Sequence, residues 1–272
     1  MPRLAVIGNV SRDCVDDGPL RPGGCPSFAA LTLRTIGREG QILTRFAEAD
    51  RSLFEPFLAR LGVPVTVLPA RSTSGFALRY DGEQRAMDVE AAGDPWTPGD
   101  VAALDAAVEW AHVAPLLRGD FPPETLAALA GAGRRVSFDG QGLVRVPHTG
   151  PMTLDAAFDP ALLRHLTVLK LAEEEATVVA DGTFDQRVAT ALGVPEILVT
   201  FGSAGSVVHV GGRAAHVPAA RPVLGVQTTG AGDIFMVAYI AARSDGERPV
   251  TAAGTASEVV ARILEERKRT ES

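Results

Sequence analysis

One carboxylate and a run of small residues stand together late in the chain. Asp233 directly follows Gly230, Ala231 and Gly232. Residues 234–240 are apolar on every side, which predicts a buried helix with Asp233 in its first turn. Glycine lets the backbone approach a ligand closely, and a helix N-terminus offers free N–H groups and positive potential. The segment therefore predicts an anion site beside a carboxylate, as phosphoryl transfer requires, although an ordinary acidic first turn gives the same pattern.

The elements that must position this segment alternate along the chain. Short apolar runs are separated by segments of helical period, which is typical of βαβ units around a parallel sheet. We expect one α/β domain over residues 1–272. Its predicted strands lie at residues 4–8, 42–45, 136–139, 167–171 and 197–201, and its predicted helices at residues 27–36, 51–61, 123–130, 173–180 and 184–192.

One stretch, residues 63–89, interrupts this alternation. Residues 65–68, 75–80 and 85–89 read as strands, and a turn at residues 81–84 joins the last two. The pattern predicts a small antiparallel sheet inserted into the α/β domain. Such an insert is either a lid that excludes water from an active site or an extra flap at an edge.

Composition excludes several classes of protein. Hydrophobic residues make up 46% of the 272 residues and charged residues 22%, as in globular domains. The formal charge of −7 comes without a basic stripe, which argues against a nucleic-acid partner. No apolar run approaches the roughly 20 residues that span a bilayer, and no signal peptide is evident, so we expect a cytoplasmic protein without a membrane partner. The two cysteines, Cys14 and Cys25, form no disulfide framework.

Residues 227–233, Gln-Thr-Thr-Gly-Ala-Gly-Asp, closely resemble the signature Asp-Thr-x-Gly-Ala-Gly-Asp of the ribokinase-like, or PfkB, carbohydrate kinase family. The resemblance continues in order along most of the chain. It implies a three-layer α/β sandwich with a central, mostly parallel sheet, and a small β lid built from residues of about 11–22 and 63–92. Further matching segments are residues 8–13, 23–24, 44–50, 170–175 and 199–205.

The resemblance also implies a function. Members of the family transfer phosphate from ATP, with Mg²⁺, to a hydroxyl of a small sugar, polyol or nucleoside, and a homodimer is compatible with it. The implied site residues are Asp233 as catalytic base with the amides of Gly230, Ala231 and Gly232; Asp13, Gly23, Gly24 and Phe28 for the acceptor; Lys170, Thr200, Gly202, Gly205 and Thr229 for the nucleotide; and Glu175 for the metal.

Three positions depart from the family pattern. Ala172 replaces the Asn of the magnesium motif, Phe28 replaces an Asn common in sugar kinases, and Gln227 replaces an Asp that in relatives helps to bind a monovalent cation. Because Gln227 provides no anionic ligand, we expect activity to respond little to K⁺. Residues 24–29 and 139–145 most resemble the subset that contains myo-inositol kinases.

Other interpretations stay open at the level of sequence. Ala172 and Gln227 are compatible with a pseudokinase that senses a nucleotide or polyol. A dinucleotide-binding oxidoreductase is disfavoured, since no Gly-x-Gly-x-x-Gly turn follows the first strand. Asp13 has the alternative role of a turn cap, and Asp139 with Arg145 that of an ordinary surface pair.

Overall fold

Two sheets organise the computed structural model, which describes residues 3–81 and 84–271. Their strands in chain order are β1 Arg3–Gly8, β2 Ser11–Val15, β3 Leu20–Gly23, β4 Gly40–Ala47, β5 Val65–Ala70, β6 Ser74–Asp81, β7 Gln84–Ala91, β8 Val108–Ala114, β9 Arg135–Asp139, β10 Gly150–Pro151, β11 Val168–Ala172, β12 Glu196–Thr200, β13 Ser206–Val210 and β14 Arg213–Val217. The larger sheet has the order β14-β13-β12-β11-β9-β8-β1-β4-β5. Every neighbouring pair from β12 to β5 is parallel, whereas β13 and β14 are antiparallel additions at one edge.

Helices cover both faces of the larger sheet. In chain order they are α1 Cys25–Thr35, α2 Arg51–Leu58, α3 Pro98–Val101, α4 Pro123–Gly131, α5 Gln141–Val144, α6 Glu173–Ala180, α7 Gln186–Leu192, α8 Ala231–Ser244 and α9 Pro249–Glu271. The apolar side chains of α1, α2, α8 and α9 join one core, and those of α3, α4, α6 and α7 join the other. None of the helices in the described part of the chain has the length and apolar character needed to cross a membrane.

The strand β1 shows why the sheet lies between two cores. Leu4 and Val6 point into the core formed with α1 and α8, while Ala5 and Ile7 point into the opposite core. Side chains alternate along a strand, so a sheet covered on both faces needs apolar residues at every position. The continuous apolar run therefore follows from burial on both sides, and the predicted three-layer arrangement is confirmed.

The helix α8 is buried along most of its length, as the sequence predicts. Each residue from Ile234 to Ala242 is buried, and the helix packs against α1 and α9. It begins after Gly230, whose φ of 81° is a backbone conformation that side-chain-bearing residues rarely adopt. A Cβ at Gly230 would also meet the ring of Phe28 at 2.3 Å. Glycine is therefore required at position 230 for α8 to begin there.

The smaller sheet is the predicted lid, with one correction at its boundary. Its order is β10-β7-β6-β2-β3, so it combines both predicted lid segments with a short strand from a third region. The predicted lid segment 63–92 is too long, because β5 pairs with β4 in the larger sheet. The predicted turn at residues 81–84 includes residues 82 and 83, which lie outside the described residues.

Asn9, which lies between β1 and β2, ties this crossing between the sheets to the one that follows β7. Its Oδ1 accepts hydrogen bonds from Trp96 Nε1 at 2.9 Å and from Arg45 Nε at 3.3 Å. Arg45 also donates to the carbonyl oxygen of Asp94, just beyond β7, and its guanidinium lies 4.4 Å from the centre of the Trp96 ring. Since buried polar groups are costly to leave unpaired, this network fixes where the chain enters and leaves the lid.

Candidate active site

A recess of about 710 Å³ lies between the lid and the carboxyl edge of the larger sheet. Parallel strands all end at this edge, which is where open α/β sheets usually bind ligands. Asp139 ends β9, Ala172 ends β11, and α8 begins beside them. Phe76 and Leu78 of the lid line the opposite wall. The fold therefore brings the chain's signature segment and its lid to one cavity.

Asp233 lies in this recess, in the first turn of α8. Burial raises the pKa of Asp233 to about 6, and the negative charge of Asp139 adds to the effect. The Cys25 thiol, at the start of α1, forms a hydrogen bond with the Asp233 carboxylate and acts in the opposite direction. The result is a carboxylate that is largely ionised at neutral pH, yet basic enough to take up a proton.

The buried ammonium of Lys170 lies among carboxylates. Its Nζ is 3.3 Å from Asp139 Oδ1, and both side chains are buried. Burial acts to lower the pKa of Lys170, but the charges of Asp139, Glu175 and Asp233 outweigh it and raise that pKa. Lys170 therefore stays protonated. A Cβ on Gly232 would come within 3.1 Å of Lys170 Nζ, so the ammonium also lies directly against the start of α8.

The predicted anion-hole amides differ in their availability. The N–H of Ala231 donates to the carbonyl oxygen of Thr228 at 3.0 Å and is already engaged. Gly232 and Asp233 lie in the first turn of α8, where a helix provides no carbonyl partners for its N–H groups. Gly230, Ala231 and Gly232 all line the recess. The arrangement offers an anion the free amides and the positive end of a 14-residue helix.

The predicted acceptor residues all line the recess, and three of the four lie on its lid side. These three are Asp13 in β2, Gly23 at the end of β3 and Gly24 just after it. A Cβ at Gly23 would fall 2.0 Å from Asp13 Oδ2, and one at Gly24 would fall 2.4 Å from the carbonyl oxygen of Asn9. Gly23 therefore leaves the space that the Asp13 carboxylate occupies, and Gly24 lets the chain approach Asn9 closely. Phe28 also lines the recess and contacts the loop at Gly230.

The predicted nucleotide residues are divided by the structure. Lys170 and Thr229 line the recess, but Thr200, Gly202 and Gly205 do not. Thr200 ends β12 opposite Ala172 of β11, and the two glycines flank the following short turn. These three residues lie at the same edge of the sheet, beyond the wall of the recess.

Glu175, the predicted metal residue, is buried and caps its own helix. Its Oε2 accepts a hydrogen bond from the N–H of Ala172 at 2.8 Å, and burial raises its pKa despite the opposing charge of Lys170. Over residues 3–81 and 84–271, no three His, Cys, Asp or Glu side chains are grouped to hold a metal ion. Protein carboxylates alone therefore do not form a complete metal site here, and any metal must take further ligands from elsewhere.

Three residues of the site were not identified from the sequence. Cys25 carries no signal for a role in the sequence, whereas its thiol contacts the Asp233 carboxylate. Asp139 and Arg145 were weighed as an ordinary surface pair, but Asp139 is buried and both line the recess. The segment 139–145 did carry a signal, since it was one of two that resembled the myo-inositol kinase subset. The segment alone does not show that Asp139 pairs with Lys170, because Lys170 lies on a different strand.

A basic carboxylate, an anion-binding helix start and a lid over a polar recess together define a small-molecule phosphotransferase site. A family profile described as "pfkB family carbohydrate kinase" matches residues 22–271. The chain therefore belongs to the PfkB family of carbohydrate kinases, as its signature segment indicated. A fructokinase of Klebsiella pneumoniae is 29% identical over 260 residues, which cover 88% of this chain and 83% of the relative.

Solved structures agree with this assignment. A pyrophosphate-dependent kinase of the ribokinase family, complexed with a pyrophosphate analogue and myo-inositol, has a TM-score of 0.82 and 27% identity, covering 96% of this chain and 95% of that one. The fructokinase of Vibrio cholerae O395, with fructose, ADP and calcium bound, has a TM-score of 0.71. At 19% identity, with 96% and 90% of the two chains covered, it supports the fold alone. None of these kinases supports the sensor interpretation.

Shortening the apolar wall of the lid tests its role. Leu78 is buried in β6 and packs with Phe76 and Leu116, which joins the lid to the larger sheet. We expect Leu78→Ala to raise the acceptor KM several-fold and to increase donor hydrolysis without acceptor, because the loosened lid admits water. The transfer rate is measured by formation of the phosphorylated acceptor, and the hydrolysis rate by release of inorganic phosphate without acceptor.

The matched control is Arg79→Ala, on the neighbouring residue of β6. Arg79 points to the opposite, solvent-exposed face and pairs with Asp88 at 2.8 Å, a contact of small energetic value. We expect wild-type kinetics. If the Leu78 and Arg79 variants show the same KM and hydrolysis rate with every acceptor, the smaller sheet does not act as a lid.

Proposed function

We propose that this kinase phosphorylates a hydroxyl of a hexose or cyclic polyol, and that Asp233 is the general base. The observation that carries the proposal is the position of Asp233, which lines one recess together with the start of α8 and the polar residues of the lid side. An acceptor hydroxyl held there has a proton acceptor and a phosphate site within reach at once.

The charges of the site suit each stage of the transfer. Asp233 takes the hydroxyl proton as the oxygen attacks the terminal phosphorus of the donor. Negative charge on the transferred group is stabilised by the free amides at the start of α8 and by the helix dipole. Lys170 stays protonated beside Gly232 and adds a permanent positive charge at the same end of the helix.

The lining of the recess favours a compact, polyhydroxylated acceptor. Asp13, Gln141 and Arg145 offer hydrogen-bonding groups, while Phe76 and Leu78 offer an apolar surface. Sugars and cyclic polyols present hydroxyls at their rims and C–H groups on their faces, so they match both kinds of wall. Relatives named for fructose and for myo-inositol support this class over nucleosides. The predicted homodimer and cytoplasmic location stay predictions.

ATP with Mg²⁺ is the proposed donor. Mg²⁺ usually takes most of its ligands from donor phosphates and water, with only one or two carboxylates from protein. Glu175 and the exposed Glu174, which lines the recess, provide carboxylates of that kind. The metal would neutralise charge on the donor phosphates, while Glu175 would orient it through water.

Inorganic pyrophosphate is a second candidate donor. The recess contains the phosphate-binding segment and the acceptor residues, but Thr200, Gly202 and Gly205, which would contact a nucleotide, lie outside its wall. The similar kinase solved with a pyrophosphate analogue is pyrophosphate-dependent by description. A donor without a nucleoside would need only the part of the site that the recess already forms.

Comparing the two donors in one assay tests this choice. Fructose and myo-inositol are each supplied with ATP and Mg²⁺ or with pyrophosphate and Mg²⁺, and the phosphorylated product is detected by mass spectrometry. We expect product with ATP. If product forms with pyrophosphate but not with ATP, pyrophosphate is the donor. The proposed role of Asp233 is unaffected by that result.

The pKa of Asp233 predicts the acid limb of the pH profile. A base that must be ionised loses activity as it is protonated, so kcat/KM should fall about tenfold per pH unit below its pKa of about 6 and level off above it. Asp139→Asn removes a charge that raises this pKa and should move the limb to lower pH. Cys25→Ala removes a hydrogen bond that lowers it and should move the limb to higher pH. A limb that stays in place in both variants would contradict the assignment.

Replacing the base itself gives the most direct kinetic test. Asp233→Asn keeps the shape of the side chain but cannot accept the proton, and we expect kcat to fall by about 10²–10⁴. Donor affinity, measured by calorimetry, should be retained. Glu173→Gln is the control, because Glu173 is exposed on α6 and does not line the recess. Wild-type turnover in the Asp233 variant would refute the proposal.

A further inference from the structure

The loop before α8 is held from behind by a residue far along the chain. Nη1 of Arg267, near the end of α9, donates hydrogen bonds to the carbonyl oxygens of Gln227 and Thr229, each at 3.0 Å. Two carbonyl groups of this short loop therefore point at a single nitrogen of the guanidinium. Neighbouring Lys268 donates to the carbonyl oxygen of Leu224 at 2.7 Å, so the end of α9 contacts this loop at several points.

The guanidinium is also covered from the side. It lies 5.8 Å from the centre of the Phe28 ring, and that ring leaves no space for a Cβ on Gly230. Arg267 is half-buried by these contacts. An arginine held by two carbonyls and an aromatic face is well oriented, which separates it from an ordinary surface arginine.

Peptide geometry links this contact to the anion site. The C=O and N–H of a trans peptide point in opposite directions. When the carbonyl of Gln227 turns toward Arg267, the N–H of Thr228 turns away, and the same holds for the carbonyl of Thr229 and the N–H of Gly230. The amides are thereby directed to the side of the loop that is opposite the guanidinium. Gln227, Thr228, Thr229 and Gly230 all line the recess.

The contact has the features of a bound cation. Converging main-chain carbonyls are typical ligands of alkali and alkaline-earth cations, and the positive charge of arginine is permanent. Gln227 contributes no negative charge that would recruit a free cation to the loop. The guanidinium thus provides a fixed positive charge where a loop of this shape would otherwise bind a cation from solution.

We propose that Arg267 is the built-in cation of the donor-phosphate loop: a positioning residue that orients the amides before α8 and makes a bound monovalent cation unnecessary. The proposal rests on the proposed role of this loop in binding donor phosphates. It extends the expectation that K⁺ has little effect by naming the group that replaces it.

The test is Arg267→Ala, with donor affinity and activity measured separately. Calorimetry with ATP and with pyrophosphate, each with Mg²⁺, should show affinity reduced by about tenfold or more, the scale of a lost charge-assisted contact. Added guanidinium, at concentrations far below those that unfold proteins, should restore the variant and leave the wild type unchanged. K⁺ should not activate the wild type. Arg267→Lys should recover part of the affinity, because the charge returns without the planar group.

Arg269→Ala is the matched control, because Arg269 lies on the same helix end and donates to the carbonyl oxygen of Glu265 in its own helix. It should behave as wild type. Wild-type donor affinity in Arg267→Ala would overturn the proposal, as would a loss that neither guanidinium nor Arg267→Lys restores, or strong K⁺ activation of the wild type. Because donor affinity is measured directly, a chain that phosphorylates no tested acceptor would refute the proposed function without deciding the role of Arg267.

Discussion

A buried ammonium group holds three carboxylates together at the carboxyl edge of the sheet. Isolated charges are expensive to bury, so Asp139, Glu175 and Asp233 can lie close together only if positive charge accompanies them. Lys170 provides it, with Nζ 3.3 Å from Asp139. Within this cluster Lys170 remains charged, while burial, with the charge of Asp139, raises the pKa of Asp233 to about 6. The charge of Lys170 lowers the pKa of Asp233, so without Lys170 this base would be protonated at higher pH.

The position of α8 couples this cluster to phosphate binding. Its apolar body is fixed between α1 and α9, and its first turn points into the recess with Asp233. Gly232 lets Lys170 lie against that turn, and Gly230 lets Phe28 pack behind it. Arg267 completes the arrangement from α9. Positive charge thus surrounds the helix start on several sides, while the lid supplies the remaining wall of the cavity.

Sequence patterns predicted those parts of the structure that are determined by residues close together in the chain. The alternation of strands and helices predicted a parallel sheet of βαβ units, and the segment ending at Asp233 predicted the helix and its carboxylate. The three layers and the lid came from the family resemblance. The sheet to which β5 belongs was not predictable, because a strand's partner depends on distant chain. Cys25, Asp139 and Arg267 were missed for the same reason: Arg267 meets Thr229 across 38 positions, and a lone arginine in a charged helix carries no local signal.

The central claim is that Asp233 meets the acceptor hydroxyl at the start of α8. A crystal structure of the chain with a non-transferable donor analogue and its acceptor tests it most directly. We expect an acceptor hydroxyl within about 3 Å of the Asp233 carboxylate, with the terminal phosphate of the donor on the free amides of α8. An acceptor whose hydroxyls all lie away from Asp233, or a donor phosphate bound elsewhere in the recess, would contradict it.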